Sequence, residues 1–448
     1  MTVITADRRK TSGRIKIMNA VNNGPTAPGV RHSPTTSFGA YRDAAIPYAR
    51  NHDASFFPGY GGEHTVDVHR IFRNFAADEN DPASYIFEPT DEYLETILAA
   101  GTKIFYRLGA SIEHGYKYGT RPPRDFAKWA RICEHIIRHY NEGWANGFEY
   151  GIEYWEIWNE PDCRNADGSN PCWQGTDEQF VEFFTTVIRY LKERFPNLKF
   201  GGPTFCSAFN DRFNDLIFSE MQKQGLPLDF FSFHGYARDP HFYTESAVKA
   251  KAVMEKYGYP DAEIILNEWN YIKGWLGEDW TYSLRMEKGL KGASFIAASM
   301  ICAQNSPMTH FMYYDARPCG MNGMFDTDTL APLKGYYPFP MFNTLYKLGR
   351  QVACETDSTD VYALAARNRG KAAALITYYT DNDDEAPVEA KVRLSGLPEG
   401  QVWKVSYRLL DAGHDNELIR EERFSTGAMD AYLTLPLFGT YLLELTKE

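Results

Sequence analysis

The stretch from residue 102 to residue 160 decides the fold. It opens with the apolar run TKIFYRLG (102–109), continues through a segment of helical period and closes with a second apolar run, EYWEIWNE (153–160). The middle segment places its apolar residues at steps of three and four, on one stripe of a helix: Phe126, Trp129, Ala130, Cys133, Ile136, Ile137 and Tyr140. The order strand, helix, strand predicts one β/α unit of a parallel sheet.

The same alternation extends in both directions, over about residues 15–349. Eight runs rich in Ile, Val, Phe and Tyr are typical of strands covered on both faces. They are RIKIMNAV (14–21), IPYAR (46–50), TKIFYRLG, EYWEIWNE, LKFGGP (198–203), DFFSFHGY (229–236), EIILNEWN (263–270) and HFMYYDA (310–316). Eight is the strand number of the (β/α)8 TIM barrel, so we predict an α/β fold with that barrel.

Two helix boundaries between the runs can be predicted from side chains. Thr176 followed by Gln179 is a capping box, in which each side chain bonds the other residue's backbone N–H. Asp91 and Glu92 favour a helix start, and Gly101 favours the end of that helix.

After Gly349 the apolar period changes to two, which is typical of strands. The runs are VYALAA (361–366), KAAALITYY (371–379), VEAKVRL (388–394), VWKVSYRLL (402–410), AYLTLPL (431–437) and TYLLEL (440–445). We expect residues 350–448 to form an appended all-β sandwich domain, to which residues 1–14 can add a strand. The acidic turn DNDDE (381–385) is expected to be a solvated hairpin.

The net charge of the chain restricts the classes of partner that it can bind. The 448 residues include 47 Lys and Arg against 59 Asp and Glu, a formal net charge of −12, which argues against nucleic acid and anionic membranes. No run approaches the 18 or so apolar residues that span a bilayer, and no export signal is evident at the start, so a cytoplasmic location is expected. A homo-oligomer is left open.

Seven cysteines with no CxxC pair favour reduced thiols. Cys163 and Cys172 share one loop, so their pairing in an oxidising compartment is also left open.

Polar residues follow the predicted barrel strands, where barrel enzymes carry their catalytic groups. They are Asn22, Asn23, Arg50, His52, Arg107, Asn159, Glu160, His234, Tyr236, Glu268, Tyr314 and Asp315. Two carboxylates, Glu160 and Glu268, follow opposing strands. Unpaired acids at one mouth cost stability unless they have a function there.

The segment YWEIWNEPD (154–162) resembles the fourth-strand motif of the clan A glycoside hydrolases. The loop with Trp173, Gly175 and Thr176, the RNH at 50–52, the FHGY at 233–236 and the appended β domain are closest to family 39, which contains β-xylosidases and α-L-iduronidases. The resemblance covers most of the barrel and, more loosely, the tail.

The resemblance implies a role for each matching residue. Glu160 corresponds to the general acid/base and Asn159 to a residue that holds the sugar 2-hydroxyl. Glu268 corresponds to the nucleophile, His234 and Tyr236 to a pair that orients it, and His52 to a contact with the far hydroxyls. Trp173, Arg107 and Asp315 complete the predicted substrate-binding set. The stretch YYDARPCGMNGMFD (313–326) departs from the family pattern, so the sugar stays undecided.

Retaining hydrolysis requires one ionised and one protonated carboxyl group about 5–5.5 Å apart. We expect the charge on Glu268 to raise the pKa of Glu160 toward neutrality. Sugar rings can stack on aromatic side chains, for which the sequence offers Trp158, Trp173, Trp269, Trp275, Trp280 and Phe325. The predicted function is therefore a retaining, β-xylosidase-like exo-glycosidase.

Several alternatives stay open at this point. The chain could be an α-L-iduronidase-like enzyme, in which Arg50, Arg107 or Arg317 binds a sugar carboxylate instead of bracing an acidic neighbour. It could also be a carbohydrate-binding barrel without turnover. An esterase is disfavoured because no GxSxG motif or Cys/His pairing is found. The histidines show no ligand spacing, so no metal or other cofactor is predicted.

Overall fold

The computed structural model describes residues 1–27, 35–53, 64–112 and 119–448. A first strand, β1 (Thr2–Arg14), precedes the barrel. The barrel strands are β2 (Ile17–Asn22), β3 (Tyr48–Arg50), β4 (Lys103–Leu108), β5 (Tyr154–Ile157), β6 (Lys199–Phe205), β7 (Phe230–His234), β8 (Glu263–Trp269) and β9 (His310–Tyr313). Each pairs in parallel with the next, and β9 pairs with β2 to close the ring. The predicted eight-stranded barrel is confirmed, and each barrel strand overlaps one predicted run.

Helices connect the strands. They are α1 (Phe38–Ala44), α2 (Val68–Ile71), α3 (Glu88–Ala99), α4 (Phe126–Glu142), α5 (Asp177–Arg194), α6 (Asp211–Lys223), α7 (His241–Lys256), α8 (Gly277–Met286), α9 (Leu290–Gln304) and α10 (Pro338–Leu348). The capping box of Thr176 and Gln179 is present at the start of α5. Helix α3 begins three residues before Asp91, because Pro89 suits the first helical turn. Within the described ranges, no helix is long and apolar enough to cross a membrane.

Two layers of side chains fill the barrel interior. The lower layer is apolar and consists of Ala20, Tyr48, Phe105, Tyr154, Phe230, Ile265 and Met312. Because alternate residues of a strand point to the same face, the residue two positions further on also points inward. Those residues are polar and fully buried: Asn22, Arg50, Arg107, Glu156, Ser232 and Asn267. The apolar floor therefore supports a polar layer directly below the C-terminal mouth.

The remaining strands form one continuous nine-stranded sheet. They are β10 (Arg350–Thr356), β11 (Val361–Arg367), β12 (Lys371–Tyr378), β13 (Val388–Ser395), β14 (Trp403–Leu410), β15 (Asp415–Phe424), β16 (Ala428–Leu435) and β17 (Thr440–Lys447). Strand β1 lies in this sheet, antiparallel to β10 and parallel to β13. The sheet has its own apolar core, so the predicted appended all-β part is confirmed.

The acidic turn at 381–385 is mostly exposed, as expected, and two of its carboxylates also contact the barrel. The Lys291 ammonium of α9 is 2% exposed and lies 3.0 Å from Asp381 and 2.8 Å from Asp383. The Tyr271 hydroxyl also donates to Asp381, at 2.8 Å. A buried ammonium requires counter-charge, which the turn supplies.

Candidate active site

Glu160 lies on a turn just beyond β5. Trp158 and Glu160 have positive φ angles of 73° and 46°, a conformation that costs a non-glycine residue roughly 1–3 kcal/mol. The N–H of Trp158 donates to the Leu108 carbonyl at 2.7 Å, and the N–H of Glu160 donates to the Thr204 carbonyl at 2.8 Å. Because these acceptors lie on β4 and β6, the neighbouring strands fix the turn that carries Glu160.

Glu268, in β8, accepts two strong hydrogen bonds. Nη1 of Arg50 donates to its Oε1 at 2.8 Å, and the Tyr236 hydroxyl donates to its Oε2 at 2.9 Å. The buried Arg50 also donates to Glu156 at 2.6 Å and to Asn159 at 2.7 Å. A guanidinium group only donates, so this network favours the ionised form of Glu268.

His234, the last residue of β7, lies between the two glutamates. Its Nδ1 is 2.7 Å from Oε1 of Glu160, and its Nε2 is 3.4 Å from Oε1 of Glu268. One oxygen of each glutamate and one nitrogen of His234 lie within 4.8 Å of one another. This is compatible with the separation of about 5–5.5 Å between the carboxyl groups of retaining glycosidases.

The contacts of His234 differ from the role that the resemblance implies. We expected it to orient Glu268, but its shorter contact is with Glu160. Burial lowers the pKa of His234, and the Glu268 charge opposes that shift. A neutral imidazole can accept a hydrogen bond at Nδ1 from the protonated carboxyl group of Glu160. Its Nε2–H then points toward Glu268.

Burial raises the pKa values of both glutamates. The pKa of Glu160 rises to about 7, and the nearby Cys163 is the second cause. The pKa of Glu268 is raised too, but His234 and Arg50 oppose the effect of burial there. We expected the charge of Glu268 to be the main cause of the raised pKa of Glu160, but the main cause is burial. Burial thus favours an acid at Glu160, while the hydrogen bonds from Arg50 and Tyr236 favour charge on Glu268.

The structure brings four of the predicted substrate-binding residues beside these carboxylates: His52, Asn159, His234 and Tyr236. Nε2 of His52 is 3.4 Å from Oε1 of Glu268. Burial and the Arg50 charge lower the pKa of His52 well below its usual value, which keeps the imidazole neutral. A neutral His52 can hydrogen-bond a sugar hydroxyl without placing a second positive charge against Glu268.

An exposed aromatic pair extends from this site. The Trp275 side chain is 53% exposed, and its ring centre is 5.1 Å from that of Tyr236. Trp275 also stacks on Trp280 at 5.6 Å. Because Tyr236 contacts Glu268, Trp275 is the aromatic residue of the predicted set best placed to meet a sugar.

Trp173 does not offer a ring face to a sugar. It is fully buried, and its ring packs edge-on against Trp158 at 5.1 Å. Its indole Nε1 donates to the Thr176 carbonyl at 2.9 Å. The prediction that Trp173 binds substrate is therefore corrected: it lies on the loop that precedes α5, and its ring packs inward.

Arg107 and Asp315 bond other side chains of the protein. Both are fully buried. Nη2 of Arg107 donates to Asp67 at 2.6 Å, so the geometry favours the bracing alternative. Asp315 lies 3.3 Å from the Asn23 amide and 3.2 Å from the Arg317 guanidinium. Burial raises the pKa of Asp315 to about 6. Neither side chain is exposed to a substrate.

Two acidic residues of the site were not predicted from the sequence. Glu156 bonds Arg50 and the Asn267 amide inside the barrel, and Asp53 accepts from the Tyr314 hydroxyl at 2.8 Å. The inward alternation of β5 could have identified Glu156, because it lies two residues after the inward-facing Tyr154. No local signal marks Asp53.

Comparisons with known proteins support a likeness to glycoside hydrolases. The family described as "Glycosyl hydrolases family 39" matches residues 59–265. The resemblance to glycoside hydrolase family 39 is confirmed. The matched range contains Glu160, His234 and Tyr236 but ends before Glu268.

A β-xylosidase from Caldicellulosiruptor saccharolyticus is 27% identical over 202 residues, which are 43% of this chain and 38% of that protein. The match thus spans well under half of the relative's length. Among solved structures, a glucosidase from Croceicoccus marinus superposes with a TM-score of 0.81 at 21% identity, over 100% of this chain and 99% of that one. A monomeric β-xylosidase from Caulobacter crescentus CB15 gives a TM-score of 0.71 at 16% identity, over the same shares. Both structures share the fold with this chain.

Proposed function

We propose that this chain is a retaining glycosidase that acts by double displacement. The observation that carries the proposal is the pair of Glu160 and Glu268, which lie within 4.8 Å of each other at one barrel mouth with different partners. Arg50 and Tyr236 donate to Glu268 and favour its charge, whereas burial favours the protonated form of Glu160. This difference supplies the two protonation states that the mechanism needs.

In the first step, a Glu268 oxygen bonds the anomeric carbon while the glycosidic C–O bond breaks. Glu160 gives its proton to the departing oxygen, so the alcohol leaves neutral. The product is a glycosyl ester on Glu268. Arg50 remains bonded to the ester-forming carboxyl group and stabilises its charge before attack.

In the second step, Glu160 is ionised and acts as the base. It takes a proton from water as the water oxygen bonds the anomeric carbon and the ester C–O bond breaks. Glu268 returns as the carboxylate and Glu160 as the acid. Two inversions at one carbon give net retention.

Substrate hydroxyls are assigned to His52 and Asn159. Arg50 donates a hydrogen bond to the amide oxygen of Asn159 at 2.7 Å. The NH2 group of Asn159 is then the donor for a sugar hydroxyl. His52 is neutral and adjoins Glu268. Trp275 replaces Trp173 as the proposed aromatic platform.

β-Xylosidase-like removal of a terminal sugar is the finer part of the proposal. The named β-xylosidase relative supports it. The α-L-iduronidase-like alternative is weakened, because Arg50, Arg107 and Arg317 each already pair with a carboxylate. Retention of both glutamates argues against a barrel without turnover.

The organisation of the chain is also a proposal. We assign residues 15–349 to a catalytic domain and residues 350–448, with β1 from residues 1–14, to an accessory domain. The proposed location is the cytoplasm, which the free thiols of Cys133 and Cys163 favour. Oligomeric state is left open.

A panel of aryl glycosides tests the function, with NMR of the first-formed sugar on any substrate that is cleaved. We expect cleavage of at least one glycoside and a first product of unchanged anomeric configuration. A first product of inverted configuration would refute the covalent ester on Glu268. Absence of cleavage across pentosides, hexosides and uronides of both anomers would favour the binding barrel.

A further inference from the structure

Three cysteines gather beside Glu160. Cys163 and Cys172 lie on the loop between β5 and α5, and Cys206 follows β6. Cys163, whose pairing with Cys172 the sequence left open, is a free thiol. Sγ of Cys172 lies 3.8 Å from Oε2 of Glu160. Both sulfurs of the loop and a Glu160 oxygen lie within 4.8 Å of one another.

Cys206 borders this group from the neighbouring strand end. Its thiol is near enough to lower the pKa of Glu160, and Cys163 raises the pKa of Cys206 itself. Cys163 and Cys206 are partly exposed, so the cluster is open to solvent. Two sulfurs and a Glu160 oxygen, with a third sulfur beside them, form a donor set, and the glycosidase mechanism uses none of its thiols.

The spacing suits a tetrahedral cation. With bonds of about 2.3 Å to sulfur and 2.0–2.2 Å to oxygen, a tetrahedral zinc ion places its sulfur and oxygen ligands about 3.6 Å apart. The observed distance between Cys172 and Glu160 is 3.8 Å. Thiolate ligands select soft or borderline cations over Mg²⁺ and Ca²⁺.

A second group near Glu160 is less suited to a cation. Glu160, His234 and Glu268 also lie within 4.8 Å of one another. However, the Arg50 guanidinium already bonds Oε1 of Glu268 at 2.8 Å, so a cation there would meet a buried positive charge. Beside the cysteine group, Arg164 donates to the backbone carbonyl of Cys163 at 2.7 Å.

We propose that Cys163, Cys172 and Glu160, with Cys206 beside them, bind a thiophilic divalent cation of the Zn²⁺ class, and that the bound cation inhibits glycoside cleavage. Each ligating thiol loses its proton to solvent when the cation binds. The inhibition rests on the proposed function, because a Glu160 carboxylate bonded to a cation cannot protonate a leaving group. The binding itself does not rest on it.

Cobalt binding tests the site without any substrate. The full-length protein is reduced, freed of metal and titrated with Co²⁺ under anaerobic conditions, and the charge-transfer absorption from sulfur to cobalt is followed. Zn²⁺ affinity is then measured by competition with a chromophoric chelator. We expect one equivalent of cobalt with the sulfur band, and affinity at least about tenfold weaker in Cys163→Ser and in Cys172→Ser.

Cys354→Ser, in β10 and outside this group, is the matched control and should bind as the wild type does. Circular dichroism confirms that each variant is folded, and the two loop variants serve as independent tests. Absence of the sulfur band, or wild-type affinity in both loop variants, would overturn the proposal. Cobalt bound without the band would place the ion on the second group instead and would also overturn it.

Inhibition is measured separately on a substrate that the wild type cleaves. Zn²⁺ should inhibit the wild type and Cys354→Ser equally, and should inhibit Cys163→Ser at concentrations at least about tenfold higher. Equal inhibition of all three would refute the inhibitory role. If no glycoside is cleaved, the proposed function fails while the cobalt titration still decides the metal site.

Discussion

Replacing Glu160 with Ala should separate substrates by their leaving groups. An aryl glycoside with an acidic phenol can depart without a proton, whereas an unactivated oligosaccharide requires one. We therefore expect kcat/KM for the oligosaccharide to fall by about 10²–10⁴-fold, the contribution of a positioned general acid. For the activated glycoside, formation of the glycosyl ester should survive and its hydrolysis should slow, because water has lost its base.

The pKa of Glu160 also predicts how far kcat/KM falls as the pH rises. With a pKa of about 7, Glu160 carries its proton in about nine tenths of the molecules at pH 6 and in about one tenth at pH 8. The acid form is the active one for an unactivated substrate, so activity is lost as pH rises through that pKa. Wild-type kcat/KM should fall about tenfold between these two pH values, and Glu160→Ala should lose this alkaline limb.

The assay is steady-state hydrolysis of both substrates across the pH range, with a chelator present so that metal binding does not interfere. Sodium azide should restore the activated rate of Glu160→Ala and yield a glycosyl azide of retained configuration, because the small anion enters where the base was. Glu182→Gln, an exposed carboxylate on α5, is the control and should behave as the wild type. Equal loss on both substrates, no azide effect and an unchanged alkaline limb would refute the assignment of Glu160.

Two further outcomes follow from the same contacts. Glu268→Ala should abolish turnover of activated and unactivated substrates alike, since no glycosyl ester can form; residual turnover of the activated substrate at the Glu160→Ala level would contradict the nucleophile assignment. Arg107→Ala removes the counter-charge of the buried Asp67, to which only Ser111 is then shown to donate, so urea unfolding should show a loss of about 3–5 kcal/mol. A raised KM with unchanged stability would instead return Arg107 to the substrate-binding set.

Sequence patterns predicted a structural feature correctly where residues close together in the sequence determine that feature. The capping box of Thr176 is determined by two side chains three positions apart, and it is present as predicted. The start of α3 was placed too late because Pro89 was overlooked as a first-turn residue. The eight strand runs were found because covered parallel strands need continuous apolar sequence.

Burial around the site could not be predicted in this way. Trp173 was expected at the sugar because aromatic rings can stack on sugars, but its exposure depends on the rings packed around it from other elements. The cause of the raised pKa of Glu160 has the same origin. Desolvation depends on what surrounds a carboxyl group in space, and those neighbours come from distant parts of the chain.

The sequence by itself determined the barrel, the appended strands and the pair of glutamates, because periodicity and strand-end position are properties of short segments. Only the tertiary structure decided that Arg50 bonds Glu268, that His234 lies nearer Glu160, and that Cys172 approaches it. Closing the ring brings residues together that are 74 or more positions apart in the first two contacts. Such contacts depend on the register of the closed sheet, which no local period encodes.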